Sequence, residues 1–221
     1  MNTPVTICNT ALSRIGISSF ISSLEESSIE ARVCENVYEQ SADHLLREFH
    51  WPFAQSYEQL ALVADGTTTP WKSDWAYRYR YPTNAITIRR VVTRLGKLES
   101  DAAPYAIGRD SVGKLIYTDI EDAVVEITNR NVDASEFDPT FASALAWYIG
   151  AEICMPLSVS DSFRKQALQG FMLDLDKAKR IAANEGQPSR DVDTELMNSR
   201  FGPMVGGVND LTIYPSGFKV G

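Results

Sequence analysis

The sequence is poor in the residues and motifs on which many enzyme and metal-binding classes depend. It has 3 cysteines and 2 histidines among 221 residues, and no Cys-x-x-Cys pair. His44 and His50 are six residues apart, a spacing that puts them on different faces of a helix. Glycine-rich phosphate-binding loops and the Gly-x-Ser-x-Gly nucleophile motif are also absent. We therefore expect no metal site, no cofactor and no catalytic centre, and a protein that is not an enzyme.

Positive charge is also in short supply. The chain carries 21 Lys and Arg against 29 Asp and Glu, a formal net charge of −8. This balance argues against a protein whose main task is to grip nucleic-acid phosphates, although it suits one past which DNA must slide. The N-terminus lacks a signal-peptide pattern, and the apolar run from Phe141 to Met155 falls short of the roughly 20 residues that a membrane span needs. The cysteines lie in apolar helical stretches, which predicts buried, reduced thiols.

Local signals predict two helices before residue 50. Thr3 can cap the first helix and Pro4 fits its first position, while Gly16 follows its last apolar residue. Capping-box pairs in the following serine-rich stretch predict a second helix from Ser27 to Phe49. Pro52 then ends the helical pattern.

Two more helices are predicted after the middle of the chain. Asp138 and Pro139 form a cap signal before a run that is apolar nearly all round, which indicates the central helix of a bundle. Small residues recur in it every four positions and would let a neighbouring helix approach closely; these are Ala142, Ala146 and Gly150. A last helix runs from residue 160 or 162 to about residue 184, with apolar residues on one face.

The middle of the chain changes its period. Tyr77-Arg78-Tyr79-Arg80-Tyr81 alternates as a strand does, and further β-rich runs end near residue 128. The predicted fold class is therefore mainly α (α+β): an antiparallel four-helix bundle with an inserted small antiparallel β-sheet domain and an extended C-terminal arm. The predicted boundaries are 1–56 and 136–185 for the two halves of the bundle, 57–135 for the sheet domain and 186–221 for the arm.

Charge is segregated in the predicted sheet. Six basic residues and no acidic one lie between residues 76 and 98, whereas seven acidic residues lie between 115 and 138. Three interpretations stay open: charge pairing between neighbouring strands, contact between a basic and an acidic edge of two subunits, and nucleic-acid binding by the Tyr/Arg strand.

The last 35 residues are rich in glycine and proline, yet they keep large apolar side chains. This composition favours an arm that docks on a partner. The candidate residues for subunit or partner contact are Arg78, Arg80, Arg89, Arg90, Arg94, Glu121, Asp122, Phe201, Tyr214 and Phe218.

Several segments together resemble the tail tubular A or head-to-tail adaptor family of short-tailed bacteriophages. They are Ile7-Cys8-Asn9-Thr10-Ala11-Leu12-Ser13-Arg14-Ile15-Gly16, Ile21-Ser22-Ser23-Leu24-Glu25-Glu26, Glu30-Ala31-Arg32, and Leu45-Leu46-Arg47-Glu48-Phe49-His50-Trp51-Pro52-Phe53-Ala54. Trp75-Ala76-Tyr77 and Tyr81-Pro82 are similar to the start of the family's sheet. The likeness covers about residues 3 to 185.

The resemblance implies a structural role in a virion assembled in the host cytoplasm. Copies of the chain would form a dodecameric ring below the portal protein and join it to a tail nozzle protein of the tail tubular B type. The ring would extend the channel through which genomic DNA passes without specific binding, away from any membrane. The alternative prediction is a nucleic-acid-binding accessory protein that uses the strand at residues 77–81.

Overall fold

The computed structural model of the chain describes residues 2–65, 74–92 and 102–185. Within these ranges the order of elements is helices, strands, then helices. The helices are α1 (Pro4–Arg14), α2 (Ile29–Glu48), α3 (Pro139–Ile153) and α4 (Asp161–Glu185). The strands are β1 (Gln55–Gln59), β2 (Leu62–Asp65), β3 (Tyr77–Arg80), β4 (Ala85–Val92), β5 (Ala102–Ala103), β6 (Tyr105–Arg109), β7 (Lys114–Thr118) and β8 (Val124–Asn129).

Helix α1 begins and ends where the local signals predict. The Thr3 hydroxyl accepts a hydrogen bond from the backbone N–H of Thr6, whose own hydroxyl accepts one from the backbone N–H of Thr3. Pro4 occupies the first turn, where backbone N–H groups have no partner within the helix, so the N–H that proline lacks costs no hydrogen bond. Gly16 follows the helix with φ of 84°, a left-handed conformation that favours glycine.

Helix α2 is capped one residue later than the capping-box pattern predicts and begins at Ile29, two residues after the predicted start. Ser28 is the capping residue, and its hydroxyl accepts from the N–H of Ala31. Glu26 bonds to the backbone and hydroxyl of Ser22 and to the hydroxyl of Ser28. Adjacent serines are equivalent as caps by sequence, so the choice between them depends on which register packs the helix best.

Helix α3 is the centre of the helical layer. Asp138 caps it, and its buried residues lie on all sides of the helix. The other three helices all pack against it. At Gly150 an added Cβ would lie 3.3 Å from Cγ2 of Ile15 and 3.4 Å from the carbonyl oxygen of Ala11, which confirms the predicted close approach of a neighbouring helix.

The strands form two antiparallel sheets of four strands each. The order is β1-β8-β4-β5 in sheet A and β2-β3-β7-β6 in sheet B. Tyr79 and Ile116 of sheet B share one buried apolar cluster with Val91, Val125 and Ile127 of sheet A. A second buried cluster lies among the helices, together with Ile86 of β4.

The predicted fold class is therefore wrong in two respects. Within the described residues the fold is mixed α+β, with two four-stranded sheets in place of one small sheet. The helices surround α3 and are not an antiparallel four-helix bundle, because a helix that is apolar on all sides buries itself against three neighbours. The division into two sheets escaped prediction because it depends on which strands pair, and partners such as β1 and β8 lie some 70 residues apart in sequence.

The helices and both sheets belong to one compact unit, residues 1–186. The predicted arm at 186–221 lies outside the described residues, and the predicted domain boundaries stay a prediction.

Candidate interaction surface

Two polar side chains tie helices to the segments that follow them. The side-chain amide of Asn9 donates to the carbonyl oxygen of Ile21 and accepts from its N–H, at 2.9 and 2.8 Å. The indole N–H of Trp51, which is 1% exposed, donates to the carbonyl oxygen of Leu45 at 2.8 Å. Each bond joins an element to the segment that follows it, so these residues fix the paths of the connections.

Arg14 joins α1 to α3 and, through one serine, to α4. Its guanidinium donates to the carbonyl oxygen and the hydroxyl of Ser143, both at 2.7 Å, and that hydroxyl lies 2.6 Å from a carboxylate oxygen of Asp174. The guanidinium also lies 4.2 Å from the ring centroid of Trp147. Burial lowers the pKa of Arg14, and the charge of Asp174 opposes that shift.

Two surface clefts border Arg14, with volumes of about 250 and 620 Å³. Apart from Arg14, their lining is made of amides, hydroxyls and apolar groups, with no carboxylate, imidazole or thiol. This lining can bind polar groups, but it brings no acid and base together. The free thiols of Cys8, Cys34 and Cys154 are buried elsewhere, in agreement with the sequence prediction.

The four described arginines of the predicted basic edge belong to two different sheets. Arg78 and Arg80 lie on β3 in sheet B, whereas Arg89 and Arg90 lie on β4 in sheet A. Arg94 lies outside the described residues, as do Phe201, Tyr214 and Phe218. The basic run in the sequence therefore does not form one continuous edge.

The two arginines of β4 make their contacts inside the chain. The Nε of Arg90 lies 2.5 Å from Glu126 on β8, a carboxylate that is 2% exposed and that also lies 2.9 Å from the Nε2 of His50. Arg89 donates to the carbonyl oxygen of Phe49 and to the hydroxyl of Thr128. Charge pairing between strands, one of the three interpretations, thus accounts for Arg90. Arg89 is held instead by a carbonyl oxygen and a hydroxyl.

Arg80 fixes the hairpin that joins β6 to β7. Its guanidinium makes two bonds to the carboxylate of Asp110, at 3.0 and 3.1 Å. The same carboxylate accepts from the backbone N–H groups of Val112 and Gly113, at 2.9 and 2.8 Å. The bonds from Arg80 and from the turn hold the pKa of Asp110 well below its usual range. The geometry of the turn is therefore fixed by bonds within the chain.

The tip of this hairpin is basic and apolar at once. Arg109 and Lys114 flank the turn and are exposed, and Val112 between them is 78% exposed. Within the described part of the chain neither cation has an ion-pair partner, although the Nζ of Lys114 lies 5.2 Å from the ring centroid of Tyr81. We call Arg109, Val112 and Lys114 the basic tip.

The opposite end of sheet B is acidic. Glu121 and Asp122 are exposed in the turn after β7, where Asp122 has a left-handed φ of 51°. Asp119 is exposed in the same turn and accepts a bond from the N–H of Ala76, and Asp74 is exposed just before β3. We call these four carboxylates, Asp74, Asp119, Glu121 and Asp122, the acidic end.

The tyrosines of β3 serve the interior of the sheets. Tyr79 is 2% exposed and donates to the carbonyl oxygen of Ile120 at 2.8 Å. Tyr77 and Tyr81 pack against the same buried cluster. Burial raises the pKa of Tyr79 and of Tyr81. These rings are therefore used in packing against the buried cluster.

Sequence reasoning missed the apolar residues at the rims of sheet B. Leu62, Tyr79, Ile116 and Ile107 lie side by side across the four strands. The inner two are buried, whereas Leu62 is 53% and Ile107 is 55% exposed. The sequence alone does not reveal this row, because the four residues are aligned only by the strand order and register of the folded sheet.

Comparison with known proteins adds no assignment, since no family model and no curated protein matches the chain. In the described ranges no helix is both long and apolar enough to cross a membrane. The same ranges contain no cluster of three or more His, Cys, Asp or Glu side chains placed to hold a metal ion.

Proposed function

We propose that this protein is a structural head-to-tail connector of a bacteriophage virion. In this role copies of the chain form a dodecameric ring below the portal protein, join it to the tail nozzle protein and extend the DNA channel. The role is architectural and not catalytic, and its place is the virion, after assembly in the host cytoplasm.

The observation that carries the proposal is that the segments resembling the adaptor family serve to hold the fold together. Arg14 joins α1 to α3, whereas Asn9 and Trp51 each join a helix to the segment that follows it. Residues used in this way define an architecture and do not form a chemical site. The resemblance to the adaptor family thus lies in residues that build the fold, which agrees with an architectural role.

Charge also supports the proposal. The chain has a formal net charge of −8. Among the described residues, six Lys and Arg side chains are paired with carboxylates of the same chain: Arg80, Arg90, Arg130, Lys165, Lys179 and Arg180. A channel wall built from such a protein would repel DNA phosphates and let the genome pass. The alternative, nucleic-acid binding by the strand at residues 77–81, has no such support, because Tyr79 is buried.

The proposal is tested by mass measurement. The purified protein is mixed with the portal ring protein and, separately, the nozzle protein encoded in the same genome, and each mixture is studied by light scattering after size exclusion. We expect the mass of the portal complex to rise by a multiple of 24.6 kDa. Failure to join either protein, at concentrations where portal rings are intact, would refute the connector role.

A truncated variant tests the predicted arm. Deletion of residues 187–221 leaves the compact unit of residues 1–186 intact, so we expect a folded protein that no longer joins the portal. Circular dichroism provides the control for folding. Normal docking of the truncated protein would contradict the role of the arm while leaving the connector role in place.

A further inference from the structure

We propose that the basic tip of one copy docks on the acidic end of sheet B of a second copy. The inference rests on the proposed ring and specifies its subunit contact. The contact would be head to tail, because the two surfaces differ and lie at opposite ends of the same sheet.

The strand register places the two surfaces far apart within one chain. Lys114 pairs with Arg109 at the start of β7, and Thr118 pairs with Tyr105 and Tyr77 at its end. At about 3.3 Å per residue, the four steps along β7 separate the two ends by about 13 Å. The basic tip of a chain therefore cannot meet the acidic end of the same chain.

Charge complementarity identifies a second copy as the partner. The basic tip carries two exposed cations, since Asp110 within the turn is already neutralised by Arg80. The acidic end carries four exposed carboxylates, one of which, Asp119, also accepts a backbone bond. Joining the ends would bring the two cations of one copy to the four carboxylates of the next and match two of them, and the same contact repeats from copy to copy.

The basic tip has the form of a docking element. Three features set it apart from an ordinary surface turn: Asp110 binds two backbone N–H groups of the turn, Arg80 binds Asp110, and Val112 projects with 78% of its surface exposed. A turn that is ordered in advance loses little conformational entropy on binding. Val112 can make an apolar contact that salt does not screen, and the two flanking cations can make ionic contacts that salt does screen.

Charge reversal tests the contact. Arg109→Glu with Lys114→Glu, and separately Glu121→Lys with Asp122→Lys, should each weaken self-association about tenfold or more. The first pair sets two glutamates against the acidic end, and the second pair cancels the net negative charge of that end. A mixture of the two variants should regain association, because the unchanged basic tip of the second variant meets the unchanged acidic end of the first. Sedimentation velocity measures each sample alone and on portal rings, and circular dichroism checks that each variant is folded.

Disulfide trapping tests the geometry independently of charge. A chain carrying both Val112→Cys and Asp122→Cys should form a ladder of covalent multimers on oxidation. The two positions are too far apart for a bond within one chain, since Cα atoms more than about 7 Å apart cannot be bridged. Each single variant alone should stay monomeric on a denaturing gel, and a mixture of the two should stop at dimers. The native cysteines are buried and should not contribute.

The outcomes separate this contact from the connector role. Loss of association in each reversed variant, recovery in the mixture and a covalent ladder in the doubly substituted chain would support the contact. If the variants associate as well as the wild type does, or the ladder fails to form, the contact is refuted while binding to the portal still supports the connector role. If the wild type neither self-associates nor joins the portal, both proposals fail.

Discussion

Gly170 of α4 allows us to predict the sign of a stability change from a single contact. An added Cβ at this position would lie 2.6 Å from Cε2 and 2.7 Å from Cδ2 of Trp147 on α3. The absence of a side chain is what allows the indole ring to lie against the backbone of α4. Glycine is otherwise a poor residue in the middle of a 25-residue helix.

Two opposing effects determine the result of Gly170→Ala. Alanine favours the helix by about 1 kcal/mol over glycine. Against this, carbon atoms make favourable contacts at about 3.5 Å, so the ring must move by about 1 Å, and such overpacking costs about 1–3 kcal/mol. The movement also disturbs the contact of the ring with Arg14. We therefore expect a net destabilisation of about 1 kcal/mol, or about 2–4 °C in Tm.

A double-mutant cycle isolates the contact. In a Trp147→Ala background the ring is gone, so Gly170→Ala should stabilise the protein by about 1 kcal/mol, which gives a coupling energy of about 2 kcal/mol. Urea unfolding followed by circular dichroism measures all four proteins. Gln169→Ala, at the exposed neighbouring position, is the control and should change the free energy of unfolding by less than about 0.5 kcal/mol. If Gly170→Ala stabilises both backgrounds equally, the packing argument is wrong.

Three further predictions concern charge and thiols. Glu126→Gln leaves the guanidinium of Arg90 without its buried counter-ion and should lower the free energy of unfolding by about 3 kcal/mol in urea titrations; no change would contradict the pairing. Bonds from the Ser28 hydroxyl and from the N–H and hydroxyl of Ser22 lower the pKa of Glu26 from 4.5 to about 2. Its contribution to stability is therefore complete above pH 4.5 and is lost as the pH falls towards 2, so the difference in stability between wild type and Glu26→Gln should shrink over that range; a difference independent of pH would contradict the assignment. The three thiols should react with a thiol reagent only after unfolding, as absorbance assays with and without urea would show; fast reaction in the native state would contradict their burial.

The sequence by itself determined the local starts and stops of the helices. Thr3 and Asp138 cap helices, and Gly16 ends one, because these effects depend on atoms within a few residues of one another. The small residue at Gly150 also indicated a close helix contact before its partner was known. The predicted burial of the cysteines followed from their apolar neighbours.

Only the tertiary structure decided the number of sheets and which charged side chains pair with one another. Arg90 and Glu126 are 36 residues apart in sequence and become neighbours through the pairing of β4 with β8 in sheet A. Arg80 of sheet B instead pairs with Asp110, in the turn between two strands of the same sheet. The basic tip and the acidic end exist because the strand order places Arg109 and Glu121 at opposite ends of one sheet. Strand pairing joins residues that are distant in sequence, and its energy depends on the packing of both faces, so no local pattern in a single chain specifies it.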